Sequence, residues 1–98
     1  MQELIDKVQE LVAFELERAN TMHPPKFNSM HEAYAVILEE YEEAQEAFKR
    51  VERDRDLAWD SIKHDENPAG RLGQMEKLAI AAAAEMIQVA AMCRKARM

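Results

Sequence analysis

The sequence predicts an all-α protein, a helical bundle of three to four helices with one long central helix. Apolar residues recur at steps of three and four in three separate segments, which is the spacing of one helix face. No stretch shows the β-branched alternation of a strand. Helix start and stop signals stand between the three segments, at Pro24-Pro25, Ser29 and Asn67-Pro68.

The first helix is expected from Glu3 to about Ala19, with Leu4, Ile5, Val8, Leu11, Val12 and Leu16 on its apolar face. It is expected to end before Met22-His23-Pro24-Pro25, because a Pro-Pro pair cannot continue a helix and biases its predecessor toward extended backbone. Ser29-Met30-His31-Glu32 then reads as a capping box, with Ser29 accepting from a free amide and Glu32 reaching back. Downstream, Tyr34, Ile37, Tyr41, Ala44, Phe48 and Val51 form one stripe, and the helix is expected to run to Lys63. Whether it bends near Arg53-Asp54-Arg55-Asp56 is left open by the sequence, since no Gly or Pro marks a break.

Asn67-Pro68 announces the third helix, with Asn as cap and Pro at the first helical position. Gly70 and Gly73 weaken its opening turns, so the start is expected between 68 and 74. Its apolar stripe is Leu72, Met75, Ala79, Ala82, Met86, Val89 and Cys93. Cys93 has no partner for an intrachain disulfide and reads as a small buried hydrophobe on that face.

A chain of 98 residues is the size of one domain, 1–98, and a core this small is often completed by a second subunit, so homo-oligomerisation is expected. The 19 acidic residues outnumber 13 basic ones, giving a net charge of -6 that repels nucleic acid polymers and anionic membranes. The opening residues lack the basic region and apolar run of a signal peptide, and Leu78 to Ala84 is far too short to span a bilayer. A cytoplasmic protein is the expectation.

The densest chemistry lies in Glu39-Glu40-Tyr41-Glu42-Glu43 with Glu46 beyond it. Glu40 and Glu43 stand at i and i+3, roughly 60° apart around a helix and with Cβ atoms about 5–6 Å apart, near enough to share a cation. Val36 and Ala47 lie on the same face, which places both carboxylates at the edge of the core. Glu42 and Glu46 project outward, where Glu46 can pair with Arg50. In the third helix Ala81, Glu85, Gln88 and Met92 repeat the spacing of Val36, Glu40, Glu43 and Ala47, so the two polar pairs can face each other. Carboxylates converging without a cation repel one another, and oxygen-only ligands favour Mg²⁺, Mn²⁺ or Ca²⁺, of which Mg²⁺ is the expected ion.

These residues resemble the MazG-like group of all-α nucleoside triphosphate pyrophosphohydrolases, whose signature is Glu-Glu-x-x-Glu followed on a later helix by Glu-x-x-Asp. Glu39-Glu40-Tyr41-Glu42-Glu43 matches the first half, and Glu85-Met86-Ile87-Gln88 matches the second with Gln in place of Asp. The likeness spans roughly residues 27–95. It implies Mg²⁺-dependent hydrolysis of a nucleoside triphosphate to the monophosphate and pyrophosphate by a homodimer or a tetramer. It also implies that Glu40, Glu43, Glu85 and Gln88 hold metal and that Glu39 assists the metal or the attacking water. Gln88 can offer a carbonyl oxygen but no negative charge.

For the substrate, Lys77, Arg94 and Lys95 are the basic candidates toward the phosphates, although cations near a helix C-terminus also complement its dipole. Trp59, Phe27 and His31 are the aromatic candidates toward a base. The rival reading is a non-catalytic helical interaction module that keeps the fold, and Gln88 is the residue that favours it. A di-iron bundle would want Glu-x-x-His, which neither helix supplies.

Overall fold

The computed structural model describes residues 1–98 and contains three helices and no strand. Helix α1 runs Gln2–Met22, α2 runs Met30–Lys63 and α3 runs Ala69–Ala96. The expected central helix is the 34-residue α2, which is unbroken through Arg53-Asp54-Arg55-Asp56. Helices α2 and α3 pack side by side, α1 packs on α3, and the α1 backbone stays clear of α2. The outcome is a long, thin molecule of 55 × 29 × 22 Å.

Local chemistry explains the helix ends. Ser29 Oγ accepts from the Glu32 amide at 3.1 Å, which is one half of the expected capping box. The other half is redirected, because the Glu32 carboxylate takes the Asn28 side-chain amide at 2.9 Å and its backbone amide at 3.4 Å. At the far end Asp65 lies in the left-handed region at φ 55, and the Glu66 and Asp65 amides return to Ser61 and Ile62. That is a Schellman ending with aspartate where glycine is usual. Before α3, Asn67 Oδ1 accepts from the Ala69 amide at 3.0 Å, so Pro68 occupies the cap rather than the first helical position. No helix of the chain is long and apolar enough to cross a membrane.

The rotational setting of α2 departs from the expected stripe. Ala33, Ala44, Ala47 and Ala58 are buried toward α3, while Tyr34, Tyr41 and Phe48 face outward and are exposed. The α3 surface they meet is itself small, built around Ala82 with Met75, Leu78 and Val89 half-buried. Small residues on both sides let the helices approach closely, and a ring at 41 or 48 would hold them apart. Leu72, Met86 and Cys93 of α3 are likewise exposed, which corrects the reading of Cys93 as a buried hydrophobe. On α1 only Val12 and Leu16 of the expected stripe are buried; they form a cluster with Ala91 and Met92, against which Val36, Ile37 and Phe27 rest.

Candidate metal centre

Close packing of α2 on α3 sets the site. Ala44 and Ala47 on one helix and Ala82 on the other hold the backbones near each other, and the polar residues one turn away then meet at the seam. Glu40, Glu43 and Glu85 each direct one carboxylate oxygen into a common region, where these atoms lie within 4.8 Å of one another. The facing of Glu40-x-x-Glu43 and Glu85-x-x-Gln88 is therefore realised. Glu42 and Glu46 point to solvent as expected, although Glu46 pairs with Lys49 at 3.3 Å rather than with Arg50.

Burial, reinforced by the charges of Glu43, Glu85, Glu39 and Glu15, pushes the Glu40 carboxyl above the ordinary carboxylate range. The site thus holds more negative charge than the protein alone can comfortably solvate. Gln88 relieves part of it. One end of its carboxamide lies 3.1 Å from Glu40 Oε2 and 3.0 Å from Glu85 Oε2, and with the nitrogen on that side it donates to both. The same amide lies within hydrogen-bonding reach of Glu15. A half-turn of the amide exchanges the two roles, giving its N–H groups to Glu15 and its oxygen to the carboxylate cluster.

Glu15 is a contribution from α1 that sequence spacing did not mark. Arg18 grips it with two bonds of 2.9 and 2.8 Å, and that guanidinium holds the Glu15 carboxyl below its usual range against the opposing effect of burial. At i and i+3 on a polar face, the pair reads as an ordinary surface ion pair. Only the packing of α1 on α3 brings it beside Gln88.

A cleft of about 480 Å³ opens from the cluster between α1, the 23–29 connection and the start of α2. Its walls include Glu39, Glu40 and Gln88 at one end and Phe27, Asn28 and Lys95 at the other. Lys95 is only 8% exposed, yet no carboxylate partners it. Its Nζ donates to the Pro24 carbonyl at 2.8 Å and sits 4.6 Å from the centre of the Phe27 ring. Of the substrate-binding candidates, Lys95 alone lines this cleft, joined by Phe27 from the aromatic set.

The other three lie elsewhere. Trp59 is 58% exposed on the outer face of α2, nineteen residues or about 28 Å along the helix from Glu40. Lys77 is exposed two turns before Glu85, and Arg94 faces the grooves beside α1 on the other side of α3. Position near a helix end or in an aromatic-rich stretch did not decide which side of the helix each one occupies. His31 is exposed in the first turn of α2, whereas His23 lines the cleft rim.

Compared with known protein families, curated proteins and solved structures, the chain matches none.

Proposed function

We propose that the chain is a Mg²⁺-dependent nucleoside triphosphate pyrophosphohydrolase of the MazG-like kind, with NTP or dNTP as substrate. The supporting observation is the convergence of Glu40, Glu43 and Glu85 beside the Gln88 amide, with Glu40 and Gln88 also lining a cleft large enough for a small-molecule ligand. A cytoplasmic setting accords with that substrate.

The donor set fits a hard divalent cation. Neighbouring ligands around Mg²⁺ at about 2.1 Å stand about 3.0 Å apart and opposite ones about 4.2 Å. The Gln88 amide stands at 3.0 and 3.1 Å from two carboxylate oxygens, and the three carboxylate oxygens, all within 4.8 Å of one another, would have to draw in by up to about 1.8 Å to share one ion. Mg²⁺ at this place, or Mn²⁺, supplies the positive charge and Lewis acidity that a triphosphate requires on an acidic surface. Glu40, Glu43 and Glu85 would hold it, with the Gln88 oxygen turned inward and its N–H groups turned to Glu15.

The remaining residues divide the work of binding and positioning. Glu39, exposed at the cleft wall beside Glu40, orients a water for in-line attack on the α-phosphorus. The new bond is from that water oxygen to phosphorus, and the bond to the bridging oxygen breaks as pyrophosphate leaves. Lys95 lies two turns after Gln88 on the same side of α3, about 10 Å along the helix, which leaves room for the body of a nucleotide between the cluster and the Phe27 ring.

The test is a panel of nucleoside triphosphates with Mg²⁺, read as phosphate released after adding a pyrophosphatase, together with calorimetric titration of the cation. Turnover that ends with Glu40→Gln supports the proposal. The second reading, a non-catalytic helical module, is favoured by the metal-free bonding of Gln88 to Glu40 and Glu85. Absence of both cation binding and turnover would leave that module as the function.

A further inference from the structure

The end of the cleft away from the carboxylates holds a buried cation with no counter-charge. Lys95 is 8% exposed, and a lysine is almost never buried to that degree unless it is paired. Here the ammonium meets only the Pro24 carbonyl, at 2.8 Å, and the Phe27 ring, 4.6 Å away at its centre. A carbonyl dipole and a ring face offset part of the lost hydration, but neither carries a full negative charge. An ammonium has three N–H donors, so two of them find no acceptor in the protein.

A second lysine lines the same cleft. Lys26 stands one residue before Phe27 in the 23–29 connection, and no carboxylate pairs with it either. The glutamates of the cleft wall are engaged elsewhere. Glu15 is held by Arg18 and Glu32 by the Asn28 amides, while Glu39 and Glu40 belong to the acidic end. In a chain with 19 acidic residues and 13 basic ones, carboxylates are the abundant partner, so two unpaired lysines on one wall mark a place from which they are kept away.

Position separates these cations from the carboxylate cluster. Lys95 follows Glu85 by ten residues, about 15 Å along α3, so no single phosphate group touches both. Its ammonium is also held in place before any ligand arrives. The Pro24 and Phe27 contacts have already fixed the long side chain, and ordering it is the usual cost of binding through lysine.

We propose that the Lys95 end of the cleft is a metal-independent oxyanion site that takes a phosphate group, either the free ion or the monoester end of a larger ligand. Two ammonium groups match the double negative charge of a phosphate better than the single charge of a carboxylate, and its several oxygens supply acceptors for the unused N–H donors of Lys95. The site needs neither the divalent cation nor hydrolysis, so it stands apart from the proposed activity.

Calorimetric titration of the metal-stripped chain at low ionic strength tests it, with inorganic phosphate in one arm and glycerol 3-phosphate in the other. Saturable binding with one site per chain is expected. Tighter binding of inorganic phosphate assigns the site to the free ion, and equal or tighter binding of the monoester assigns it to the end of a larger ligand. Lys95→Met should weaken the binding about tenfold or more, the scale of losing a charged hydrogen bond. Lys26→Ala should weaken it about threefold, as befits an exposed charge. Lys77→Ala, exposed elsewhere on α3, should leave it unchanged. Because Lys95 also ties the connection to α3, the wild-type chain supplies a second readout, in which phosphate shifts the Lys95 Cε resonance and leaves that of Lys77 in place. No saturable binding of either probe overturns the proposal. So does a Lys95 resonance that phosphate does not move, or binding that Lys77→Ala weakens as much as Lys95→Met. Loss of nucleotide turnover with phosphate binding intact would count against the hydrolase reading alone.

Discussion

Helix α2 presents two faces that obey opposite rules. Toward α3 it is lined with alanine and carries Glu40 and Glu43 at its edge, so its largest side chains near the seam are charged. On the other side it carries Tyr34, Tyr41, Phe48 and Trp59 in water. Burying small residues sacrifices hydrophobic area per contact but brings two backbones near enough for short acidic arms to meet. The seam is therefore a device for placing a site, and the outer face holds the apolar area that the seam does not bury. Hydrophobic size alone does not say which stripe of a helix becomes the core.

The largest effect is expected at the carboxylate cluster. If the proposed function holds, Glu43→Gln should lower Mg²⁺-dependent hydrolysis by about 10²–10³-fold, the scale of losing one transition-state stabilising group, while the far-ultraviolet circular dichroism stays as in wild type. Turnover within threefold of wild type would remove Glu43 from the site. The seam itself is tested by Ala44→Leu. Ala44 is 1% exposed, so the added carbons must push α2 from α3, and the expected loss is about 1–3 kcal/mol, or roughly 4–8 °C of melting temperature per kcal/mol. A leucine tolerated there without cost would mean the helices are not closely packed.

A smaller effect is expected at Gln88. Gln88→Asp adds the missing negative charge and should tighten Mg²⁺ binding about tenfold, the equivalent of one pKa unit of extra interaction. Unchanged affinity in a calorimetric titration would show that position 88 does not touch the cation.

The smallest effect concerns metal-free stability. Burial and neighbouring charges raise the folded-state pKa of Glu40, so its ionised form opposes folding. That opposition is absent in acid, grows as pH rises through the unfolded value, and is complete above the raised folded value. In the presence of a chelator at neutral pH, Glu40→Gln should therefore stabilise the fold by about 0.5 kcal/mol after solvent screening, roughly 2–4 °C. The gain should vanish at low pH. A Glu40→Gln variant that melts lower than wild type at neutral pH would contradict the charge crowding.

Much of this architecture was legible in the residues. Three helices and the Ser29 cap follow from local chemistry that acts within a few residues, whereas α1 persists to Met22, past its expected end near Ala19, and the continuity of α2 through Arg53-Asp54-Arg55-Asp56 was not legible. The facing of Glu40 and Glu43 with Glu85 and Gln88 was legible too, because matched spacing on two helices becomes proximity once those helices lie side by side. The cleft was legible only in part. Lys95 and Phe27 line it, but Lys77, Arg94 and Trp59 do not, and Glu15 and Arg18 arrive from a helix whose spacing gave no hint of them.

Three helices, their approximate spans and the carboxylates that share a helix face can be read from the residues alone, since all depend on periodicity and capping within one segment. The turn of α2 about its own axis cannot, because it depends on packing. The helix carries two neighbouring apolar stripes, one small and one aromatic, and periodicity is satisfied by either. The choice falls to the partner surface on α3, where Ala82 and its neighbours accept alanine at short range and leave the rings outside. That same turn brings Glu40 and Glu43 to the seam and sets Tyr41 and Phe48 facing away from it.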